Sequence, residues 1–243
     1  MPVILMGGTF SPLSIAGLSA WYAARLETIY NDNDTLTSVS DRSGNGRNLT
    51  TIVSTPKWRS SGINSVPSFQ AAGGTESASR LNNPSTDYIA AAAGTVFCVF
   101  RFATWATIDY PWILTEIGVA QRANVAIFSA TTFAGQNNDG VIDTTGNNTV
   151  AVNNNYISTW HHEAGTLYSG INDTRTASMT SIASGNTTSA AGDDMCIIGS
   201  SGGAASIDGY IAEVLMWNVA LTQAQRQTVE SWLASIYGIT LPY

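Results

Sequence analysis

The stretch GYIAEVLMWNVALTQAQRQTVESWLASIYGI (residues 209–239) decides the fold class, because a strand pattern runs directly into a helix pattern. In its first half, apolar side chains alternate at Ile211, Leu215 and Trp217, which places them on one face of a strand. Glu213 falls on the same face, so the sequence predicts a carboxylate that is at least partly buried. A carboxylate in that position needs a cation or hydrogen-bond donors beside it.

The second half of this stretch predicts an amphipathic helix. Thr222 is followed three residues later by Gln225, which is the spacing of a capping box. Gly238 stands where the helix should end. The apolar stripe at helical spacing consists of Val229, Trp232, Leu233 and Ile236. We therefore expect one C-terminal helix that lies against a sheet.

The rest of the chain consists of short strand-like runs separated by clusters of Asn, Gly, Asp and Ser, the pattern of an all-β sandwich or barrel. The strongest run is GTVFCVFRF (94–102), which is apolar on both faces and so predicts a central strand covered on both sides. The other runs are GLSAWYAA (17–24), LTSVSD (36–41), RNLTTIV (47–53), VPSFQ (66–70), PWILTEIG (111–118), NVAIFSA (124–130), NTVAVNN (148–154), YISTWHHEAG (156–165) and MCIIGS (195–200).

No linker or repeat divides the chain, so we expect one domain over residues 15–243, preceded by an extended arm over residues 1–14. The arm contains the apolar run MPVILM, which suits packing either on its own domain or on a partner chain.

Four segments together resemble the laminin-G-like, concanavalin A-like jelly-roll domains found in many bacterial and bacteriophage proteins. They are GLSAWYAA, DRSGNGRNLT (41–50), TVFCVFRF, and the final strand and helix with Gly209, Ile211, Glu213 and Trp217. The resemblance implies an all-β fold of two antiparallel sheets packed face to face in a jelly-roll sandwich. It also implies binding of glycans or proteins, although some members of this fold are glycosidases.

Composition and charge exclude several classes of function. The net charge is −7 and Lys57 is the single lysine, so no basic patch predicts binding to nucleic acid or to a membrane surface. No apolar run reaches the roughly 18 residues of a membrane span, and MPVILM lacks the basic leader of a signal peptide. Cys98 and Cys196 each lie in a strand-like run, and they fit either two buried thiols or a disulfide.

The motif DRSGNGRNLT predicts a turn rather than a phosphate loop, because no G-K-[ST] follows it. Asn45-Gly46 between two β-prone runs is a strong hairpin signal, so both residues are expected to be structural. A calcium ion at the rim of the sandwich, held by Asp41, Asn45 and Asp208, is the functional alternative; otherwise no cofactor is expected. For the carboxylate of Glu213, Arg42 or Arg47 is the expected ion-pair partner, and a role as a calcium ligand is the alternative.

The sequence predicts no catalytic residues and no enzymatic activity. The E-x-D-x-E strand of the glycosidases with this fold is missing. His161 and Glu163 share a strand face, but two ligands do not make a metal site, and a surface strand is expected there. Glycan binding would use aromatic side chains that stack on sugar rings, and the candidates are Trp105, Tyr110, Trp112, Tyr156 and Trp160. Packing in the core or at the rim of the sandwich is the alternative for each of them.

The function that these observations favour is that of a virion component. We expect a non-enzymatic protein on the outside of a bacteriophage particle, as a capsid decoration, a tail protein or a fibre component. It would dock on other virion proteins, form a homo-oligomer and adhere to cell-surface glycans. A free-standing carbohydrate-binding lectin is the alternative, and a glycoside hydrolase is the least favoured reading.

Overall fold

The structure is a computed structural model, and it describes most of the chain in ten ranges. These are residues 10–53, 55–71, 80–84, 88–90, 92–104, 109–116, 121–138, 142–185, 193–198 and 207–243.

Within these ranges the chain forms sixteen strands followed by a C-terminal helix. The strands are β1 (Leu18–Ala23), β2 (Thr51–Val53), β3 (Lys57–Ile63), β4 (Val66–Gln70), β5 (Arg80–Pro84), β6 (Ala93–Phe102), β7 (Asp109–Glu116), β8 (Gln121–Ser129), β9 (Thr132–Asn138), β10 (Ile142–Thr144), β11 (Asn148–Thr149), β12 (Tyr156–Glu163), β13 (Thr166–Ile171), β14 (Thr180–Ala183), β15 (Asp193–Ile197) and β16 (Gly209–Trp217). The helix is α1 (Gln223–Tyr237), and two short 3₁₀ turns are formed by Pro12–Ser14 and Ala24–Leu26.

The strands form two antiparallel sheets. The first, here called the helix-side sheet, has the order β14-β13-β12-β6-β16-β4-β3, and β1 also pairs with β16. The second, here called the far sheet, has the order β10-β9-β8-β7-β15-β5-β2, and β11 also pairs with β9. The predicted two-sheet antiparallel sandwich with a C-terminal helix is therefore confirmed.

Two apolar cores stabilise this arrangement, and the strand β6 contributes to both. Val96, Cys98 and Phe100 point into the core between the sheets. Phe97 and Val99 point to the opposite side, into a core between the helix-side sheet and α1. This two-sided burial is what the continuous apolar run of β6 predicts. Cys98 is a free thiol whose pKa is raised by burial, while the side chain of Cys196 lies outside the described residues.

The helix α1 begins and ends where the sequence indicates. The Thr222 hydroxyl accepts a hydrogen bond from the backbone N–H of Gln225, and the Gln225 side chain accepts one from the N–H of Thr222, which completes the capping box. Gly238 ends the helix with φ 59° and ψ 37°, in the left-handed region that favours glycine. Val229 and Leu233 are fully buried against the helix-side sheet.

The prediction of a tight hairpin at Asn45-Gly46 is wrong. Val39 and Leu49 form an isolated β-bridge that closes a longer loop, and in this loop Gly46 has a positive φ while Asn45 does not. The carboxylate of Asp41 accepts hydrogen bonds from the backbone N–H groups of Trp21, Ser43 and Arg47, at 3.0, 2.9 and 3.0 Å. These side-chain bonds replace the strand ladder that the hairpin would have needed.

Of the predicted arm, residues 1–9 lie outside the described residues. Phe10 packs edge-to-face against Trp232 of α1 with ring centroids 5.7 Å apart, and Ser11 caps the 3₁₀ turn that follows. The division into an arm over residues 1–14 and a domain over residues 15–243 stays a prediction.

Candidate functional site: an asparagine-lined pocket

A polar pocket of about 310 Å³ lies at one end of the helix-side sheet, beside the C-terminal end of α1. This volume is at the lower end of the range of small-molecule sites, which is roughly 300–1,000 Å³. Its lining residues are Asn64, Asn153, Asn154, Asn155, Tyr156, Asn172, Gly238, Ile239 and Thr240. Five of these are asparagines, so side-chain amides supply most of its polar groups.

Three of these asparagines stand at left-handed positions of turns. Asn64 (φ 46°) is in the turn between β3 and β4, Asn153 (φ 64°) precedes β12, and Asn172 (φ 53°) follows β13. Asparagine tolerates this backbone conformation better than most residues because its short side chain bonds locally. The turn geometry therefore accounts for part of the asparagine content of the pocket.

A chain of hydrogen bonds runs from the end of α1 to the pocket wall. The Asn64 amide donates from Nδ2 to the carbonyl oxygens of Tyr237 and Gly238, at 2.7 and 3.3 Å. Asn155 in turn donates from its own Nδ2 to the Oδ1 of Asn64, at 2.8 Å. The carbonyl partners fix which way both amides point, because reversing either one would bring two acceptors together.

Several amide groups of the pocket remain open for a ligand. The Asn155 Oδ1 is buried and has no hydrogen-bond partner among the described residues. Asn153 and Asn154 are exposed, and their side chains form no hydrogen bond with any other described residue. Asn172 uses its Oδ1 to accept a bond from the N–H of Ile157, at 2.7 Å. Each open amide supplies a donor and an acceptor, which matches groups that both give and take hydrogen bonds, such as hydroxyls.

The aromatic side chains predicted to stack on sugars lie in different parts of the fold, and the prediction is wrong for Trp112 and Trp160. Trp112 and Trp160 are fully buried between the sheets, where their rings meet edge-to-face with centroids 6.2 Å apart. They cannot stack on a sugar, because the apolar core covers both ring faces. Tyr156 lines the pocket but is only 8% exposed, and its ring packs against Phe100 at 5.6 Å. Trp105 and the side chain of Tyr110 lie outside the described residues.

The three predicted calcium ligands do not come together. Both carboxylate oxygens of Asp41 already accept hydrogen bonds within its own loop. The Asn45 amide donates to the carbonyl oxygens of Leu18 and Ser19, at 3.0 and 3.1 Å. Asp208 lies just before β16 and accepts a hydrogen bond from the Thr104 hydroxyl. Asp41 accepts one from the backbone N–H of Trp21, and Trp21 pairs with Leu215, seven residues further along β16 than Asp208. At about 3.3 Å per residue this is roughly 20 Å, too far to share one ion.

Among the residues that the structure describes, no group of three His, Cys, Asp or Glu side chains is arranged to hold a metal ion. In the same part of the chain, no helix is long and apolar enough to cross a membrane.

Glu213 is fully buried on the face of Leu215 and Trp217, as predicted, but a β-bulge between Ile211 and Glu213 places Ile211 in the core between the sheets instead. The cation that pairs with Glu213 is neither Arg42 nor Arg47. The carboxylate pairs with Arg25, with its oxygens 3.1 and 3.2 Å from the guanidinium nitrogens. It also accepts hydrogen bonds from the Trp21 indole and the Tyr237 hydroxyl, at 2.6 and 2.7 Å. Burial raises the pKa of Glu213, while the charge of Arg25 and these donors oppose the rise. The cluster joins β1, β16 and α1, so its role is structural.

The two expected partners of Glu213 have other contacts. The Arg42 guanidinium lies 3.3 Å from a carboxylate oxygen of Glu27, and Arg47 lies over the ring of Tyr88 at 4.9 Å. The pairing of Glu213 with Arg25 follows from register, because β1 and β16 are neighbours and place Ala23 opposite Glu213.

The expectation of a surface strand at His161 is also wrong, because the residue is only 1% exposed. Arg226 of α1 donates to its Nε2 at 3.1 Å, and its Nδ1 lies 3.0 Å from the Thr95 hydroxyl oxygen. Burial, followed by the charge of Arg226, lowers the pKa of His161 to about 3. The imidazole is therefore neutral at physiological pH. A carboxylate oxygen of Glu163 also lies 3.3 Å from Nε2, but the Arg226 guanidinium can only donate, so we assign the proton to Nδ1.

The asparagine-lined pocket was missed at the level of sequence, although one signal was present. The run VNNNY (152–156) places three asparagines immediately before a strand. Asn64 and Asn172 are far from this run in sequence, and only the fold brings them beside it.

No protein-family model matches the chain, and no curated protein matches it. Solved structures with a similar fold include the Trypanosoma rangeli sialidase, with a TM-score of 0.60 and 11% identity over 91% of this chain. The chain spans 33% of the sialidase chain, about a third of its length. Another is domain 4 of AbnA, a GH43 extracellular arabinanase from Geobacillus stearothermophilus, in complex with arabinotriose. Its TM-score is 0.62 at 13% identity, covering 88% of this chain and 98% of that one.

A third similar structure is the binding domain of botulinum neurotoxin serotype D, with a TM-score of 0.58 and 10% identity, covering 88% of this chain and 52% of that one. At these identities the likeness shows the fold, and it is consistent with the expected jelly-roll, lectin-like sandwich.

The prediction that the chain is not an enzyme is contradicted by these comparisons, because the similar structures include sialidases and a domain of an arabinanase. The missing E-x-D-x-E pattern excluded one type of glycosidase only, and it did not justify a conclusion about enzymes in general.

Proposed function

We propose that this chain is a glycan-binding β-sandwich module and that it holds a short oligosaccharide in the asparagine-lined pocket. The observation that carries the proposal is the set of open amides at Asn153, Asn154 and Asn155, grouped on one side of a cavity of about 310 Å³. Amide groups pair well with sugar hydroxyls, since each hydroxyl donates one hydrogen bond and accepts others.

The similar solved structures support the proposal at the level of fold. Domain 4 of the arabinanase matches this chain over 98% of its own length, and it was solved with arabinotriose bound. The sialidase and the toxin domain extend the same fold to other proteins, one of which is described as a complex with sialic acid.

Titration calorimetry with arabinotriose, followed by a glycan array, tests the proposal. The variant Asn154→Ala removes an exposed amide, and Asn153→Gly removes a second one while preserving the left-handed backbone. Together they should weaken binding roughly tenfold or more, since each lost hydrogen bond contributes about 0.5–1.5 kcal/mol.

Two control variants match these changes outside the pocket. Asn33→Gly also replaces an asparagine of positive φ, at 69°, and Asn147→Ala removes an exposed asparagine of a loop. Both should leave binding unchanged. The absence of saturable binding to any glycan, or equal losses in pocket and control variants, would overturn the proposal. Assaying the same mixtures for released reducing sugar tests for hydrolysis.

The placement on the outside of a bacteriophage particle, docked on other virion proteins, stays a prediction supported by the family resemblance of the sequence. Mass spectrometry of purified particles tests it, because a virion component is present at a fixed copy number. A protein that binds glycans but is missing from particles supports the free-standing lectin instead.

A further inference from the structure

The asparagine-lined pocket contains no charged residue among the nine that line it. Strand register brings one cation, Arg101, level with Asn155, since β6 and β12 pair Phe100 with Tyr156. However, the Arg101 guanidinium lies over the ring of Tyr210, at 4.4 Å, on the side of β16 and away from β12. An anionic ligand therefore meets no counter-charge from the lining.

The C-terminal end of α1 contributes a negative electrostatic potential to the same pocket. Gly238, Ile239 and Thr240 line the pocket where the helix ends, and a helix C-terminus carries a partial negative charge of roughly half an electron. The Asn64 amide donates to two of the terminal carbonyls, and its Oδ1 accepts a hydrogen bond from the Asn155 amide. The two side chains thus extend a row of aligned hydrogen bonds from the helix end to the pocket. Hydrogen bonds in such a chain polarise one another.

The last acceptor of this chain is the Oδ1 of Asn155, which is buried with no donor among the described residues. A buried acceptor without a donor costs roughly 1–3 kcal/mol. A ligand hydroxyl, directly or through one bridging water, supplies the missing donor. A carboxylate has no proton at neutral pH, so it cannot donate a hydrogen bond to the Asn155 Oδ1.

From these three observations we infer that the pocket selects neutral sugars and discriminates against acidic ones, with Asn64 as the positioning residue that holds Asn155 in its acceptor orientation. The inference rests on the proposed glycan-binding function and specifies its ligand class. Uronic and sialic acids place a carboxylate where the helix end and the oriented amides repel it. Neutral pentoses and hexoses present only hydroxyls and ring oxygens.

Matched neutral and acidic probes test the inference on the whole chain. The probes are arabinotriose, lactose with sialyllactose, and trigalacturonic acid with its methyl ester, measured by calorimetry at pH 7. We expect each neutral member that binds to do so roughly tenfold more tightly than its acidic counterpart. The variant Asn154→Lys adds a cation at an exposed position of the rim, and it should shift the ratio toward the acidic member by about threefold. The control Asn147→Lys carries the same charge outside the pocket and should not change the ratio.

The outcomes distinguish a failure of neutral-sugar selectivity from a failure of glycan binding itself. An acidic probe that binds the unaltered protein as tightly as its neutral counterpart overturns the neutral selectivity and leaves glycan binding standing. Binding of neutral probes alone, with the shift in Asn154→Lys, supports both. A complete lack of binding to every probe and to a glycan array overturns both. Asn64→Ala gives an additional readout, because loss of the amide chain should reduce the neutral-to-acidic ratio more than Asn147→Ala does.

Discussion

The indole Nε1 of Trp21 on β1 donates a hydrogen bond of 2.6 Å to the buried carboxylate of Glu213 on β16. The two residues are 192 positions apart in the sequence, and Arg25 and Tyr237 complete the shell around the carboxylate. A single carboxylate thus connects β1, β16 and α1.

We expect Glu213→Leu to lower the free energy of unfolding by about 3–5 kcal/mol, because it leaves the partners of a buried ion pair without their acceptor. Urea denaturation measures the change. Glu163→Gln serves as the control, since the Glu163 side chain is 59% exposed and its contact with His161, at 3.3 Å, is with a neutral imidazole that a glutamine can also meet. Its cost should stay within about 0.5 kcal/mol. Similar costs for the two variants would contradict the structural role of Glu213.

The neutral imidazole of His161 predicts a loss of stability in acid. Its folded pKa of about 3 lies below the ordinary histidine value of 6.5, so the unfolded chain binds the proton more readily. The stabilising contribution is complete above pH 6.5 and is lost as the pH falls toward about 3. The slope due to one proton is at most about 1.4 kcal/mol per pH unit.

The measurement is the free energy of unfolding of the unaltered protein and of His161→Gln between pH 3 and 7. The difference between them should shrink as the pH falls. Nitrogen NMR of the imidazole should show a proton on Nδ1 throughout the range from pH 5 to 8. An imidazole that titrates near 6.5 would contradict its burial beside Arg226.

Glu230 predicts the opposite pH dependence. Burial raises its pKa, although hydrogen bonds from Tyr243 and Thr174 oppose the rise. The folded chain therefore holds this proton more tightly than the unfolded chain, and stability falls as the pH rises above the ordinary glutamate pKa toward the raised folded value. Relative to the unaltered protein, Glu230→Gln should become more stable as the pH increases from 4 to 7. Parallel stability curves for the two proteins would contradict this.

Replacing the glycine at the helix end should cost stability through the backbone alone. Gly238 has φ 59°, and a Cβ there would approach nothing nearer than the Asn64 amide nitrogen at 3.5 Å. We expect Gly238→Ala to cost about 1–2 kcal/mol in thermal or urea unfolding, and Gly238→Asn to cost less. Gly146→Ala is the control, because Gly146 is exposed without a positive φ and its Cβ would make ordinary contacts with Thr180. Equal costs at the two glycines would exclude the backbone explanation.

The features that the sequence predicted well depend on neighbours along the chain. The capping box at Thr222, the stop at Gly238 and the two-faced strand around Cys98 are local patterns, and each appears at its predicted residues. The resemblance to jelly-roll domains then supplied the arrangement of two sheets, which local patterns do not contain.

The candidate site was harder to predict because its parts are brought together by long-range contacts. Asn64, Asn155 and Asn172 come from three separate turns, and no local pattern distinguishes them from the many other asparagines of the chain. The burial of Trp112 and Trp160 depends on which sheet face meets the other sheet. Strand alternation gives two faces without saying which one is covered.

The position of β16 in the helix-side sheet also constrains how the protein is made. β6 pairs with one edge of this strand, and β4 and β1 pair with the other, so β1, β3 and β4 join the sheet only through β16 in the described part of the chain. Since β16 spans Gly209–Trp217, the N-terminal strands have no partner in this sheet until the ribosome has released the chain through Trp217. Completion of this sheet consequently waits for β16, and chains that terminate before residue 209 leave β1, β3 and β4 unattached to it.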